Sequence, residues 1–190
     1  MDKKEALELV QKDGFELENL PAHFKKDKEI VLEAIKQNAG AFQFSNKILK
    51  KDKEVVLAAV KQYCFALEFA DDSLKKDREV VLKAVKRNGW TLEYADKSLR
   101  KDKEVVLEAV KNDCLVLELF AHKSFRKDKE VVLEAVKQNG IVLEIVDKIL
   151  RKDKEVVLEA VKQNRFALDY ASKSLKKDPD ILALINKKNK

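Results

Sequence analysis

A chain of 190 residues with 45% hydrophobic and 39% charged residues, four glycines and two prolines has the composition of a helix-rich soluble domain, with no material for a long linker or low-complexity tail. No apolar run approaches the ~18 residues of a membrane-spanning helix, and Met1-Asp2-Lys3-Lys4-Glu5 leads into no signal-peptide core, so no membrane span is expected and the cytoplasm is the default location. The net charge of +6 is modest for a nucleic-acid binder, and only six of the 40 cationic residues are arginine.

An Asp opens the same phrase again and again: Asp2, Asp27, Asp52, Asp77, Asp102, Asp128, Asp153 and Asp178, spaced by 25 residues except for 26 between Asp102 and Asp128. Self-similarity at a fixed period is the mark of a solenoid, whose units bury their apolar faces only by stacking on one another. The register divides the chain into repeats 2–26, 27–51, 52–76, 77–101, 102–127, 128–152 and 153–177, followed by a cap, 178–190. The expectation is a single all-α domain over 1–190, an α-solenoid of seven two-helix repeats plus a C-terminal capping helix.

Within a repeat, taking 52–76, Asp52 suits an N-cap and Val55, Val56, Leu57, Ala59 and Val60 recur at helical rather than strand spacing, predicting a helix from Lys53 to about Tyr63. Lys61 complements its C-terminal dipole. Next come Gly14, Ala39, Cys64, Gly89, Cys114, Gly140 or Arg165, a position suited to a left-handed reversal where it is Gly. A second helix is predicted from about Phe65 to Leu74, closed by a basic pair. The recurrent Ala of the first helix, from Ala34 to Ala160, marks the expected closest approach of neighbouring helices. The column Phe15, Phe65, Trp90, Leu115, Ile141 and Phe166 reads as bulky core filler, with a base-stacking platform as the alternative. Cys64 and Cys114 lie two repeats apart, beyond disulfide reach, and read as small reduced side chains.

The ends differ from the middle. Glu5 and Ala6 replace Val-Val in the first repeat, while the cap opens with Pro179 at the first helical position and runs into a basic tail, Lys187, Lys188, Asn189 and Lys190. The phrase Asp-Lys-Glu-Val-Val-Leu-x-Ala-Val-Lys-x-Asn, followed by x-x-x-Leu-Glu-x-Ala-x-x-x-Leu-Lys/Arg-Lys, resembles the repeat known as domain of unknown function 4116 over residues 27–177, and more loosely over the first repeat. The resemblance implies a helical-hairpin array, found in bacterial, protist and large-virus proteins and sometimes in secreted bacterial effectors; it carries over no catalytic residue. One irregularity, the extra residue within Leu119–Phe125, is expected to bulge the second helix and bend the array locally.

Chemistry is sparse. His23 and His122 stand about four repeats apart, no Cys-x-x-Cys pair or phosphate-cradling glycine loop occurs, and neither catalysis, a cofactor nor a metal is expected. A carboxylate row on the second helix, Glu18, Glu68, Glu93, Glu118, Glu144 and Asp169, reads as ion pairs with a neighbouring helix or as a solvated face. A basic row, Lys25-Lys26, Lys50-Lys51, Lys75-Lys76, Arg100-Lys101, Arg126-Lys127, Arg151-Lys152 and Lys176-Lys177, reads as helix capping offset by the next Asp and Glu, or as an edge for nucleic acid or another polyanion. The leading functional expectation is a non-catalytic scaffold whose partner is a protein, with specificity in what varies: Tyr63, Trp90, Asp113, His122 and Arg165. The other readings are the anionic partner on the basic edge, and a designed array or a piece of a larger effector with no partner of its own.

Overall fold

The computed structural model describes residues 1–187; Lys188, Asn189 and Lys190 of the expected cap and basic tail lie outside the described residues. The chain forms two compact units, Met1–Leu99 and from Arg100 onward. In the first, α1 (Lys3–Lys12) packs on α2 (Lys28–Gln37), α2 on α3 (Lys53–Gln62), and α3, past the short α4 (Asp72–Lys75), on α5 (Arg78–Val85). In the second, α6 (Lys103–Asn112) packs, past the short α7 (Val116–Leu119), on α8 (Lys129–Gln138), α8 on α9 (Lys154–Gln163) and α9 on α10 (Pro179–Lys187). Each unit is therefore a stack of helical repeats, and no strand occurs among the described residues.

The core follows the repeated words. Val55, Val56, Ala59 and Val60 of α3, like their counterparts in α2, α5, α6, α8 and α9, are buried against a neighbouring first helix of the same unit and against Leu17, Phe42, Leu67, Leu92, Leu117 or Leu143 of the second segments. The recurrent Ala is the point of closest approach: a Cβ added at Gly14 would run into the carbonyl oxygen of Ala34, and one at Gly140 into that of Ala160. These glycines keep ordinary negative φ, so the expected left-handed reversal does not occur and the glycine serves proximity instead. Where Cys114 replaces it, the Gln138 side chain bridges the Cys114 N–H and the Val110 carbonyl.

The second helix departs from expectation. In place of one helix over 65–74 there is a tight 3-10 stretch, Cys64–Phe69, then extended Ala70 (ψ 153°), then α4. The same break falls at Ser45, Ala95 and Ala171. Its cause is a bond to the preceding repeat: the freed N–H of the next residue donates to a carbonyl one repeat back, Asn46 to Lys25 at 2.8 Å, Asp71 to Lys50 at 3.0 Å, Asp96 to Lys75 at 3.0 Å, Asp147 to Arg126 at 2.9 Å and Ser172 to Arg151 at 3.0 Å. The extra residue near Phe120 is absorbed just before this bond. Phe120 and Ala121 both donate to the Val116 carbonyl in a widened turn, and His122 still reaches Arg100 at 3.0 Å.

Within each unit, every opening Asp after the first caps its own helix and ties the previous one. Asp52 Oδ1 accepts from the N–H groups of Glu54 and Val55, and its Oδ2 accepts from Lys28 Nζ at 2.8 Å. Lys28 also holds Glu54 at 2.8 Å. The pattern recurs from Lys3 to Asp27 and Glu29, Lys53 to Asp77 and Glu79, Lys103 to Asp128 and Glu130, Lys129 to Asp153 and Glu155, and Lys154 to Asp178 and Asp180. The lysine hydrogen bond, followed by the helix amides and acting against partial burial, holds the Asp52 carboxyl below its ordinary value; Lys28, bonded to both carboxylates, is raised. A lowered carboxyl contributes stability that is complete above its unfolded value and lost as pH falls through the folded one; a raised lysine contributes stability complete below its unfolded value and lost at high pH.

Thermal unfolding monitored by circular dichroism should accordingly show a plateau between about pH 5 and about pH 9 and a decline in acid below about pH 4. Asp52→Ala should cost about 1–2 kcal/mol in urea denaturation, and Asp52→Asn, which keeps the cap and loses the charge, distinctly less. Gly140→Ala, forced against a backbone carbonyl, should cost about 1–3 kcal/mol, whereas an alanine at an exposed site such as Lys148 leaves the midpoint unmoved.

Candidate binding surfaces

The basic row divides in two. The first cation of each pair is mostly half-buried and turned onto its own repeat: Lys25 Nζ donates to the Glu18 carbonyl at 2.6 Å, Lys50 to that of Gln43 at 2.7 Å, Arg126 to that of Glu118 at 3.3 Å, Lys176 to that of Asp169 at 2.7 Å, and Arg151 to those of Glu144 and Val146. These carbonyls lie at or just beyond the ends of the short helical stretches, and the cation caps them. Burial, then the charges of Lys47 and Lys75, push the Lys50 ammonium below its usual value, and its Nζ lies 6.0 Å from the Phe69 ring centre. Lys75 sits in the same half-buried position, 3.9 Å from Asp72, and Arg100 is half-buried likewise.

The second cation of each pair, Lys51, Lys76, Lys101, Lys127 and Lys152 among them, is exposed. Lys51 lies 3.8 Å from Asp71 and Lys127 3.7 Å from Asp147. The offset expected from the following Asp and Glu therefore takes another form. Those carboxylates are held by the lysine of the preceding Asp-Lys-Glu phrase, and the exposed cations face instead the Asp that starts the next short turn. That Asp, preceded by a small residue in Ala70-Asp71 and Ala95-Asp96, was the overlooked sign of a break in the second helix.

The carboxylate row is a solvated face: Glu18, Glu68, Glu93, Glu118, Glu144 and Asp169 are exposed. Burial and the nearby Glu68 charge raise the Tyr94 hydroxyl, and the Glu144 charge raises that of Tyr170, each phenol donating its O–H to that carboxylate. The bulky column is not core, as expected from sequence, but a half-exposed ridge. Phe15 is 40% exposed, Leu115 42% and Phe166 60%, while Phe65, Trp90 and Ile141 are half-buried. The ridge residues touch the next repeat at their edges, Phe15 against Phe44 at 6.1 Å and Phe65 against Tyr94 at 6.3 Å between ring centres. The core here is filled by the smaller neighbours Ala41, Ala66 and Thr91.

Of the varying residues, Tyr63 in the first unit and Asp113 in the second hold one repeat position, directly before the 3-10 stretch. Asn38, Asn88, Asn139 and Asn164 stand there elsewhere and cap the stretch, each accepting the N–H two residues on; Asp113 does so for Leu115 at 2.9 Å. Tyr63 makes no such cap, and its ring is 46% exposed. Arg165 lies over the Phe166 ring at 5.1 Å, and His122 uses Nδ1 on the Ser124 N–H and hydroxyl. His23 stacks at 4.0 Å on Phe24. Both cysteines are free thiols, and burial raises that of Cys114.

In the first unit Tyr63 closes a groove of about 530 Å³ lined by Phe15, Gln37, Asn38, Ala39, Gly40, Gln43, Gln62 and Phe69. No charged side chain lines it, in a chain where 39% of residues are charged. Three further grooves lie along the basic edge, at residues 72–97, 122–147 and 148–174. Among the described residues no group of three or more His, Cys, Asp or Glu converges as a metal site, and no helix is long and apolar enough to cross a membrane.

Comparison with known proteins agrees with the repeat architecture. No curated protein and no solved structure matches the chain. One family model, described as a domain of unknown function, DUF4116, matches five times, at residues 2–50, 52–100, 77–126, 102–151 and 153–190, the first four each spanning two of the Asp-led repeats. With the same Asp-led helix, the same broken second segment and the same basic closure under every match, the chain belongs to the DUF4116 family, as a tandem array of its repeats.

Proposed function

We propose that this array is a non-catalytic scaffold that binds an extended, largely uncharged polypeptide segment, and that the groove closed by Tyr63 is a principal contact. The observation that carries this reading is the composition of that groove: rings from Phe15, Tyr63 and Phe69, and carboxamides from Gln37, Asn38, Gln43 and Gln62, without a single charge. Rings supply apolar contact area with few rotatable bonds, and carboxamides both donate to and accept from peptide groups. A charged surface elsewhere keeps non-specific partners off, so discrimination concentrates where charge is missing.

Tyr63 strengthens the reading because it breaks a local rule, gaining in exchange only a tilted ring contact with Phe65 at 5.7 Å. Asn at its position caps the following stretch in four other repeats; the tyrosine surrenders that cap and leaves a ring in water. Residues that sacrifice local stability are those a binding surface needs. Helical-repeat arrays commonly present such extended surfaces, an analogy that supports binding and leaves the partner to be identified.

Tyr63→Asn separates the two roles. Restoring the cap should raise stability by about 0.5–1 kcal/mol in urea denaturation while weakening, by about tenfold, peptides selected from a random displayed library against the wild-type chain. Selected peptides should be poor in Asp, Glu, Lys and Arg. A selection that returns only strongly acidic peptides, or binders indifferent to Tyr63→Asn and Gln62→Ala, defeats the reading.

A further inference from the structure

We propose that the groove formed by residues 148–152 and 170–174 of the second unit binds a phosphate monoester, as a free ion or on a phosphorylated side chain. The groove, of about 610 Å³, is lined by Lys148, Arg151, Lys152 and Lys173, by the hydroxyls of Ser172 and Ser174, and by Tyr170, with no carboxylate among its lining residues.

What sets it apart is its comparison with the equivalent grooves one and three repeats earlier. The groove at 72–97 holds Lys75, Lys76 and Lys97 but also Asp72 and Asp96; that at 122–147 holds Lys123, Arg126 and Lys127 with Asp147, which lies 3.7 Å from Lys127. The neutralising group in both is the residue whose N–H ties back to the preceding repeat. In the groove at 148–174 that residue is Ser172, which keeps the backbone bond to Arg151 at 3.0 Å and removes the carboxylate. Four cations then line one volume with no carboxylate among its lining residues, the Glu144 carboxylate standing at its border on Tyr170.

The groups present suit a compact dianion. Arg151 is immobilised by the Val146 and Glu144 carbonyls, so its charge is held at the groove's lining without further ordering cost. Lys148, Lys152 and Lys173 are exposed and mobile enough to converge on an oxyanion. The Ser172 and Ser174 hydroxyls are hydrogen-bonded to each other at 3.0 Å, which leaves one O–H of the pair to donate to a ligand. Tyr170 adds a ring wall, its own O–H being donated to the Glu144 carboxylate beside it. A polyanion such as nucleic acid needs cations along many successive phosphates, whereas the grooves at 72–97 and 122–147 cancel much of their own charge. A single phosphoryl group needs only this one.

The test uses the whole chain at constant ionic strength, with inorganic phosphate, a phosphoserine peptide and the same peptide unphosphorylated as probes. Phosphate should shift the amide resonances of residues 172–174, and the phosphopeptide should bind while its unmodified form does not. Ser172→Asp restores the carboxylate that Asp96 and Asp147 supply in intact repeats; it should weaken both phosphate probes by about tenfold or more with thermal unfolding unchanged. Asp147→Ser should conversely create phosphate binding at residues 123–127. Tighter binding of the phosphopeptide than of inorganic phosphate assigns the site to a modified protein, and equal binding to the free ion. Absence of shifts at 172–174, affinity unmoved by Ser172→Asp, or binding of duplex nucleic acid that outcompetes both probes and ignores Ser172→Asp overturns the proposal.

Discussion

Within each unit, one carboxylate at the head of every repeat after the first does two jobs with two oxygens, and the rest of the architecture is arranged around that division. Oδ1 closes the amides of its own helix and Oδ2 holds the lysine of the helix before, so the start of each first helix is fixed relative to the start of its neighbour. Neither bond is strong alone; a cap contributes about 1 kcal/mol and an exposed ion pair less. Their joint effect is register. With the helix starts aligned, Val-Val and Ala-Val of successive helices meet at a constant height, and the burial of those side chains supplies the stability. The backbone bonds from Asn46, Asp71, Asp96, Asp147 and Ser172 fix the other end of each repeat in the same way.

The first helices, their caps and the all-helical class were legible in the sequence because each depends on residues near in the chain: a side chain reaching an amide two or three positions on, and an apolar face read at helical spacing. The second segment was legible only in part. Its apolar positions fit a ten-residue helix, yet the decisive bond runs from a main-chain N–H to a carbonyl in the previous repeat, and backbone groups leave no signature in the side-chain pattern. The glycine before it misled for a related reason. Gly14 and Gly140 look like turn residues, but what excludes a Cβ there is the carbonyl of the next repeat's helix, a contact made by a residue about 20 positions away.

The binding surfaces show the same limit. The candidate ridge Phe15, Phe65 and Phe166 was placed in the core because aromatic columns usually belong there, whereas the small residues one position later take that space. Of the positions singled out for variation, Tyr63 alone lines the uncharged groove, and Gln37 and Gln62 beside it were missed although glutamine recurs at that place. A further signal was present but required comparison of repeats rather than inspection of one. Ser172 stands where Asp71, Asp96 and Asp147 stand, while Asn46 and His122 are the other uncharged residues at this position, and the loss of the negative charge shows only when the grooves at 72–97 and 122–147, which retain it, are set beside the one at 148–174. Repetition thus gives each position an internal reference, and the deviations carry the specificity.

The side-chain ties between neighbouring repeats join residues close in sequence, as in the 24 residues separating Lys28 from Asp52, Lys53 from Asp77 and Lys129 from Asp153. The entropy of closing a loop of that size is small and nearly the same at every step. Folding within each unit therefore requires no distant encounter: any formed repeat is a template on which the adjacent segment can zip, at the rates of low-contact-order proteins. The widened turn at Phe120–Ala121 shows how forgiving this is, since one added residue lengthens a single closure and leaves the tie from His122 to Arg100 in place. Such an array can lengthen by duplication or accept a local insertion without relearning how to fold.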